Sequence, residues 1–173
     1  GHAGRPMPRL SGRRLGACAN DRPTRQGHEV AAGGTSGARV VIDVHAHLYP
    51  RAFMEEVAAR GPRYGVSLTG ETPPCLLFEG IRFWRYAQVF HDPELRLTEM
   101  DAAGVDCQVL SLGPPMVYWA DAELGTQLAR ATNDAMTEAH TAYPDRFVGL
   151  ATLPMQEPKR AADEATRRAR AAG

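Results

Sequence analysis

An α/β fold built on a parallel sheet is predicted by two observations. β-branched apolar runs alternate with segments of helical periodicity, and turn-formers separate the two kinds of segment. The order of elements is strand, helix, strand, helix, strand, helix, the rhythm of βαβ units. The run Arg39-Val40-Val41-Ile42-Asp43-Val44 reads as a buried first strand. A stretch with turn-formers at Gly61, Pro62, Gly65, Gly70, Pro73 and Pro74 follows, then a mixed aromatic segment from Ile81 to Phe90, read as an irregular loop with a short hairpin. Its length exceeds that of an ordinary connection, and long connections in compact domains are usually functional, so it is a candidate wall for an active site.

Asp92 as N-cap, Pro93 at the first helical position and a Gly104 stop bracket a short helix with Leu95, Leu97 and Met100 on its apolar side. Val105 to Leu112 reads as the second strand, closed by Gly113-Pro114-Pro115, and a loop carrying Tyr118 and Trp119 leads on. Leu124, Leu128, Ala131, Ala135 and Ala139 space a long helix from Asp121 to about Tyr143, ended by Pro144. Phe147 to Leu153 is the third strand, and Glu157 to Ala172 a helix rich in Ala, Arg and Glu.

Composition narrows the function. With 43% hydrophobic and 23% charged residues the chain has a normal globular balance and can bury a core. Its formal charge of zero is unevenly spread: residues 1–39 hold seven Arg against Asp21 and Glu29, about +5, leaving about −5 for residues 40–173. The acidic remainder forms no basic, aromatic-laced surface, which argues against a nucleic-acid partner. Cys18, Cys75 and Cys107 are too few and scattered for a disulfide framework, and no stretch approaches the roughly 18 apolar residues of a membrane span. A soluble protein in a reducing cytoplasm is therefore expected. Residues 1–39, rich in Gly, Ala, Arg and Pro and without periodicity, are expected to be a disordered basic extension, either a docking arm or a segment outside the fold, and dispensable for folding.

The sharpest chemical motif is His45-Ala46-His47 at the end of the first strand. Side chains two apart on a strand point the same way, so both imidazoles can converge on one ion at ~2.0–2.1 Å. Asp43, of the same parity, could lie beneath them and fix an imidazole tautomer, or be an ordinary strand-end residue. The alternative for the pair is two surface histidines. The C-terminal ends of parallel barrel strands are, however, where catalytic groups gather.

The string Ile42-Asp43-Val44-His45-Ala46-His47-Leu48-Tyr49-Pro50 resembles the first barrel strand of the amidohydrolase superfamily. Asp92-Pro93-Glu94-Leu95-Arg96, Glu99-Met100-Asp101, Gly104-Val105, Tyr118-Trp119-Ala120, Asn133-Asp134, Tyr143-Pro144, Arg146-Phe147-Val148-Gly149-Leu150 and Thr152-Leu153-Pro154-Met155-Gln156 then follow in the order found in aminocarboxymuconate-semialdehyde decarboxylases. The resemblance covers about residues 40 to 173. The related resorcylate-type decarboxylases usually carry Glu in place of the first His, which favours the semialdehyde branch.

The resemblance implies a partial TIM (β/α)8 barrel of about three βα units, with a divalent metal, usually zinc, held by His45, His47, a later His and a late Asp. A further His would act as acid/base, and it and the remaining ligands are expected beyond Gly173. His91 and His140 match neither role and read as surface or packing residues. In the decarboxylases an Arg of the long first loop grips a substrate carboxylate, and the matching slot here falls on Trp84, with Arg82 and Arg85 nearby. Arg82, Arg85 and Trp119 are the candidate substrate-binding residues; the alternatives are solvated charges for the two arginines and packing for Trp119 and Tyr118. Met100, Met116, Met155 and Cys107 read as packing residues.

The expected reaction is non-oxidative decarboxylation of an unsaturated or aromatic carboxylic acid. A hydrolase or lactonase of the same superfamily, or an inactive fragment, are the alternatives, since such a barrel needs roughly 250 residues. A small-molecule acid is the expected partner, with no nucleic acid or membrane, and a homodimer is allowed. With half a barrel, the inner faces of Val41, Val109 and Val148 would lack partners, so self-association is expected of the chain alone. Two ligands leave half of a tetrahedral site to water, so zinc affinity should be weak, and without the other groups that the resemblance implies no decarboxylase activity is expected.

Overall fold

A computed structural model describes residues 39–171. The basic extension expected at residues 1–39 lies, apart from Arg39, outside the described residues.

The three strands of the parallel sheet are β1 (Ile42–His47), β5 (Cys107–Ser111) and β6 (Phe147–Gly149), in the order β1-β5-β6. Ile42 pairs with Cys107 and His47 with Ser111, while Val109 pairs with Val148, so β5 is the central strand. The third strand is shorter than the periodicity predicts, because the chain leaves the sheet after Gly149.

Between β1 and β5 lie a helix and three strands, where the sequence predicts an irregular loop with a short hairpin. Helix α1 (Arg51–Arg60) starts behind Pro50 and buries Phe53, Met54 and Val57. The next stretch is a three-stranded antiparallel sheet, β2 (Val66–Leu68), β3 (Cys75–Phe78) and β4 (Ile81–Arg85), in sequential order. The β3–β4 turn uses Glu79 and Gly80, both at positive φ. This excursion has its own anchors in the core, since Val66, Cys75 and Leu76 are fully buried.

Helix α2 (Pro93–Ala103) is capped as predicted, with the Asp92 carboxylate accepting from the Leu95 amide at 3.0 Å and Gly104 closing it at φ 67°. Helix α3 (Ala122–Ala142) is capped by Asp121, which accepts from the Leu124 amide at 2.8 Å. Helix α4 (Pro158–Ala171) docks on α3 through the fully buried Glu164. Burial raises the pKa of that carboxyl, but hydrogen bonds from Arg167 and Asn133 and the charge of Arg130 outweigh it and hold it below the ordinary carboxylate value. A buried charge is tolerable only with partners of this kind. Asn133 also clasps the Thr152 main chain, donating to its carbonyl at 2.9 Å and accepting from its amide at 2.7 Å.

Gly125 faces Gln156, whose amide donates to the Val117 and Ala120 carbonyls at 3.0 and 3.2 Å and so ties the loop after β6 to the loop after β5. A Cβ at Gly125 would collide with that amide. Gly125→Ala should therefore lower stability by about 1–2 kcal/mol, despite the ~1 kcal/mol by which Ala favours a helix. Urea denaturation measures it, and a net gain in stability would show that the Gln156 bonds hold nothing.

The outer strands of the parallel sheet leave apolar side chains in solvent, notably Val44 at 74% and Leu150, just beyond β6, at 53% exposure. Val41 and Val148 are likewise exposed, and a cavity of about 530 Å³ lies beside β6, lined by Met136, His140, Val148, Leu150, Leu153 and Arg168 among others. Among the described residues no helix is long and apolar enough to cross a membrane.

Candidate metal and substrate site

The end of β1 brings His45 and His47 side by side, with ring centroids 4.9 Å apart in an edge-to-face arrangement. His45 is exposed and His47 half-buried. Burial lowers the pKa of His47, as do the neighbouring His45 and Arg96, against opposing contributions from a main-chain hydrogen bond to Ser111 and from Asp43. A neutral imidazole is the form that can ligate a metal.

His47 is framed on several sides. Its Nδ1 lies 3.0 Å from Ser111 Oγ. Gly113 abuts the ring, such that a Cβ there would stand 2.9 Å from two ring carbons and collide with the Tyr49 hydroxyl. Behind it, the buried Arg96 of α2 donates to the His47 carbonyl at 2.7 Å, the Val89 carbonyl at 2.8 Å and Gln108 Oε1 at 3.1 Å. One guanidinium thus joins β1, β5 and the segment before α2, using the fixed fork of donors that only Arg supplies.

Asp43 makes hydrogen bonds to groups other than the imidazoles. Its carboxylate accepts from the His45 amide at 3.0 Å and from Gln108 Nε2 at 3.0 Å.

An aromatic wall stands beside the pair. Tyr49 and Trp84 lie against each other at 3.9 Å between centroids, and both donate to the Pro114 carbonyl, at 3.0 and 2.9 Å. Phe90 and Phe53 flank Tyr49, and Tyr86 donates to the Tyr49 carbonyl at 3.0 Å. Burial raises the Tyr49 hydroxyl far above its ordinary pKa and pushes Tyr86 up to about 12, so both stay protonated donors.

The predicted substrate-binding residues each have protein partners. Arg82 and Arg85 both turn to Glu71, at 2.6 and 3.8 Å, and Arg82 holds that carboxyl below its ordinary pKa. Trp119 donates to the Met116 carbonyl at 2.9 Å and meets Tyr64 edge-on. His140 lies on the exposed side of α3 with its Nδ1 2.6 Å from the Phe147 carbonyl. His91 stacks on Tyr86, its ring nitrogens buried without a hydrogen-bond partner. Of the loop residues it is Trp84, in the slot where the resemblance expects an Arg, that reaches the end of the parallel sheet.

Could these residues hold a metal? The donor set fits two nitrogen ligands, both imidazoles at one strand end. Among the described residues no group of three or more His, Cys, Asp or Glu converges on one point. Tyr49, Ser111, Gly113, Arg96 and Gln108 escaped the sequence reading as site residues. For Ser111 and Gly113 a cue existed in their place at the C-terminal end of a predicted parallel strand, where site residues gather.

The aminocarboxymuconate-semialdehyde decarboxylase of Dictyostelium discoideum is 31% identical over 118 residues, covering 66% of this chain and 33% of its own length. The crystal structure of 5-carboxyvanillate decarboxylase from Sphingomonas paucimobilis superposes with a TM-score of 0.58 at 30% identity, over 75% of this chain and 39% of that one. Dihydroxybenzoic acid decarboxylase from Polaromonas sp. JS666, determined with bound manganese and the inhibitor 2-nitroresorcinol, gives 0.52 at 27% identity, over 74% and 36%. The chain thus spans about a third of the length of these proteins, and its three parallel βα units are the corresponding part of a TIM-type barrel. The amidohydrolase family model matches residues 42–173, and the chain belongs to the amidohydrolase family.

Proposed function

We propose that the protein is a metal-dependent non-oxidative decarboxylase, a carbon–carbon lyase acting on an unsaturated or aromatic carboxylic acid, with His45 and His47 as two of the metal's ligands. The observation that carries this is the pair of adjacent imidazoles at the C-terminal end of a parallel strand, where barrel enzymes hold their chemistry. The similar proteins of known activity are decarboxylases of acids of this kind. Zinc is the metal that the resemblance favours, and manganese the one bound in the Polaromonas relative.

A divalent cation at this place would act as a Lewis acid on substrate oxygens and draw off charge as the carboxylate leaves. The chain's own contribution is positional. Trp84 and Phe90, half-buried and packed on the fully buried Tyr49, offer the apolar surface that an aromatic or conjugated acid needs, Ser111 contacts the His47 ring, and Gly113 leaves room for it. Carbon dioxide leaves, and a proton takes its place on carbon. The acid/base histidine and remaining ligands implied by the resemblance match no described residue.

The test is an assay of carbon dioxide release from hydroxylated benzoates and from 2-amino-3-carboxymuconate semialdehyde, by metal-free protein and by protein loaded with zinc or manganese. Metal-dependent release of one carbon dioxide per substrate consumed is expected of a protein that carries the whole barrel, and none of the 173-residue chain by itself. Hydrolysis of a lactone without carbon dioxide would replace the lyase reading with a hydrolase one, and turnover indifferent to metal would overturn both.

A further inference from the structure

A neutral imidazole carries one N–H, and only the other nitrogen has a lone pair for a metal. What decides between the two nitrogens of His47 is therefore part of the site. Asp43, the acceptor suggested by the motif, is engaged with the His45 amide and Gln108. The side-chain group facing His47 Nδ1 is Ser111 Oγ, at 3.0 Å, and the same residue's main chain contributes a second contact to the ring. The same hydroxyl oxygen lies 3.4 Å from the Ala46 carbonyl, an acceptor with no proton to give.

A hydroxyl has one proton. Directed to the Ala46 carbonyl, it leaves the oxygen's lone pairs to accept from Nδ1–H, and the chain His47 Nδ1–H to Ser111 Oγ–H to Ala46 carbonyl satisfies both polar contacts at once. Directed to Nδ1, it would forfeit the contact to Ala46. The geometry is well anchored: His47 and Ser111 are register partners across β1 and β5, the Leu48 amide donates to the Ser111 carbonyl at 3.0 Å, and Gly113 leaves the space that the ring occupies.

We propose that Ser111 is a positioning residue that fixes His47 as the Nδ1–H tautomer and so makes Nε2 the ring's ligand atom. The consequence for metal binding rests on the reading of His47 as a ligand; the tautomer itself does not. Side-chain hydroxyls seldom fill this place, which a carboxylate or main-chain carbonyl more often takes.

The experiment uses protein labelled with 15N-histidine and long-range proton–nitrogen correlation in the absence of metal. His47 is expected to be protonated on Nδ1. In Ser111→Ala the ring should move to the Nε2–H form that free histidine prefers, and Ser111→Thr, which keeps the hydroxyl, should retain Nδ1–H. A second arm titrates zinc against a chromophoric competitor. Ser111→Ala should bind about 10- to 100-fold more weakly and Ser111→Thr nearly as well as the parent, with unfolding midpoints that stay alike. A wild-type ring protonated on Nε2, or a Ser111→Ala ring still protonated on Nδ1, would overturn the proposal. An unaltered zinc affinity in Ser111→Ala, with zinc lost in His47→Ala, would overturn the positioning role. If instead His47→Ala binds zinc as before while the tautomer follows Ser111, the tautomer proposal stands and the ligand reading falls.

Discussion

Replacing His45 and His47 together with alanine is expected to abolish specific divalent-metal binding, a loss of more than about 100-fold, while leaving the protein folded. Removing a residue that merely orients a ligand already costs about 10- to 100-fold in affinity, so removing the ligands must cost more. The fold should tolerate the change. His45 is exposed, and an exposed side chain without structural partners typically changes stability by no more than about 0.5 kcal/mol. His47 loses one side-chain hydrogen bond, to Ser111, and its contact with Gly113, while its carbonyl, held by Arg96, remains. Isothermal titration with zinc and with manganese, run beside thermal unfolding of the same samples, measures both. Tight stoichiometric metal surviving the double substitution would place the centre elsewhere.

The second large effect concerns Arg96. Changing it to methionine keeps the aliphatic stem but strips donors from the His47 carbonyl, the Val89 carbonyl and Gln108 at once. Bonds to a charged donor contribute about 1.5–3 kcal/mol each, and acceptors left unpaired inside the protein cost about 1–3 kcal/mol. Such terms are not additive, and a total loss of about 3–5 kcal/mol is expected. Burial lowers the guanidinium's pKa, opposed by the charges of Glu99 and Asp43, yet an arginine stays protonated at any ordinary pH, so the loss should be nearly independent of pH between 5 and 9. Urea denaturation with an unchanged m-value is the measurement. A loss below about 1 kcal/mol would mean that the three acceptors find water instead.

The parallel βαβ order was legible because it rests on local rules: a capping Asp before Pro93, a glycine at positive φ after α2, a 3.6-residue apolar stripe along α3. Helix α1 was missed because only Phe53, Met54 and Val57 mark its buried face, and the punctuation beyond Gly61 drew the reading toward loop. The β2–β4 sheet was blurred by its short strands and by the bulge between Cys75 and Leu77. At the site, His45 and His47 could be found because two imidazoles sit in one tripeptide. Ser111, Arg96 and Gln108 could not be joined to them, since only tertiary pairing brings them together. Arg82 and Arg85 stand out because charge is visible in a sequence, whereas their pairing with Glu71, eleven residues before Arg82, is not.

The framing of His47 also has a bearing on the order in which the chain folds. Its partners are distant in sequence: Ser111 by 64 residues and Arg96 by 49, with Gln108 and Asp43 separated by 65. The helices and the β3–β4 hairpin need only neighbours and can form early, whereas pairing β1 with β5 must first close a long loop against its entropy. The β2–β4 excursion lies inside that loop and, once compact, shortens the distance still to be closed. Until β1 pairs with β5 the two imidazoles lack their distant partners, and the orientation of His47 arrives together with the non-local strand pairing.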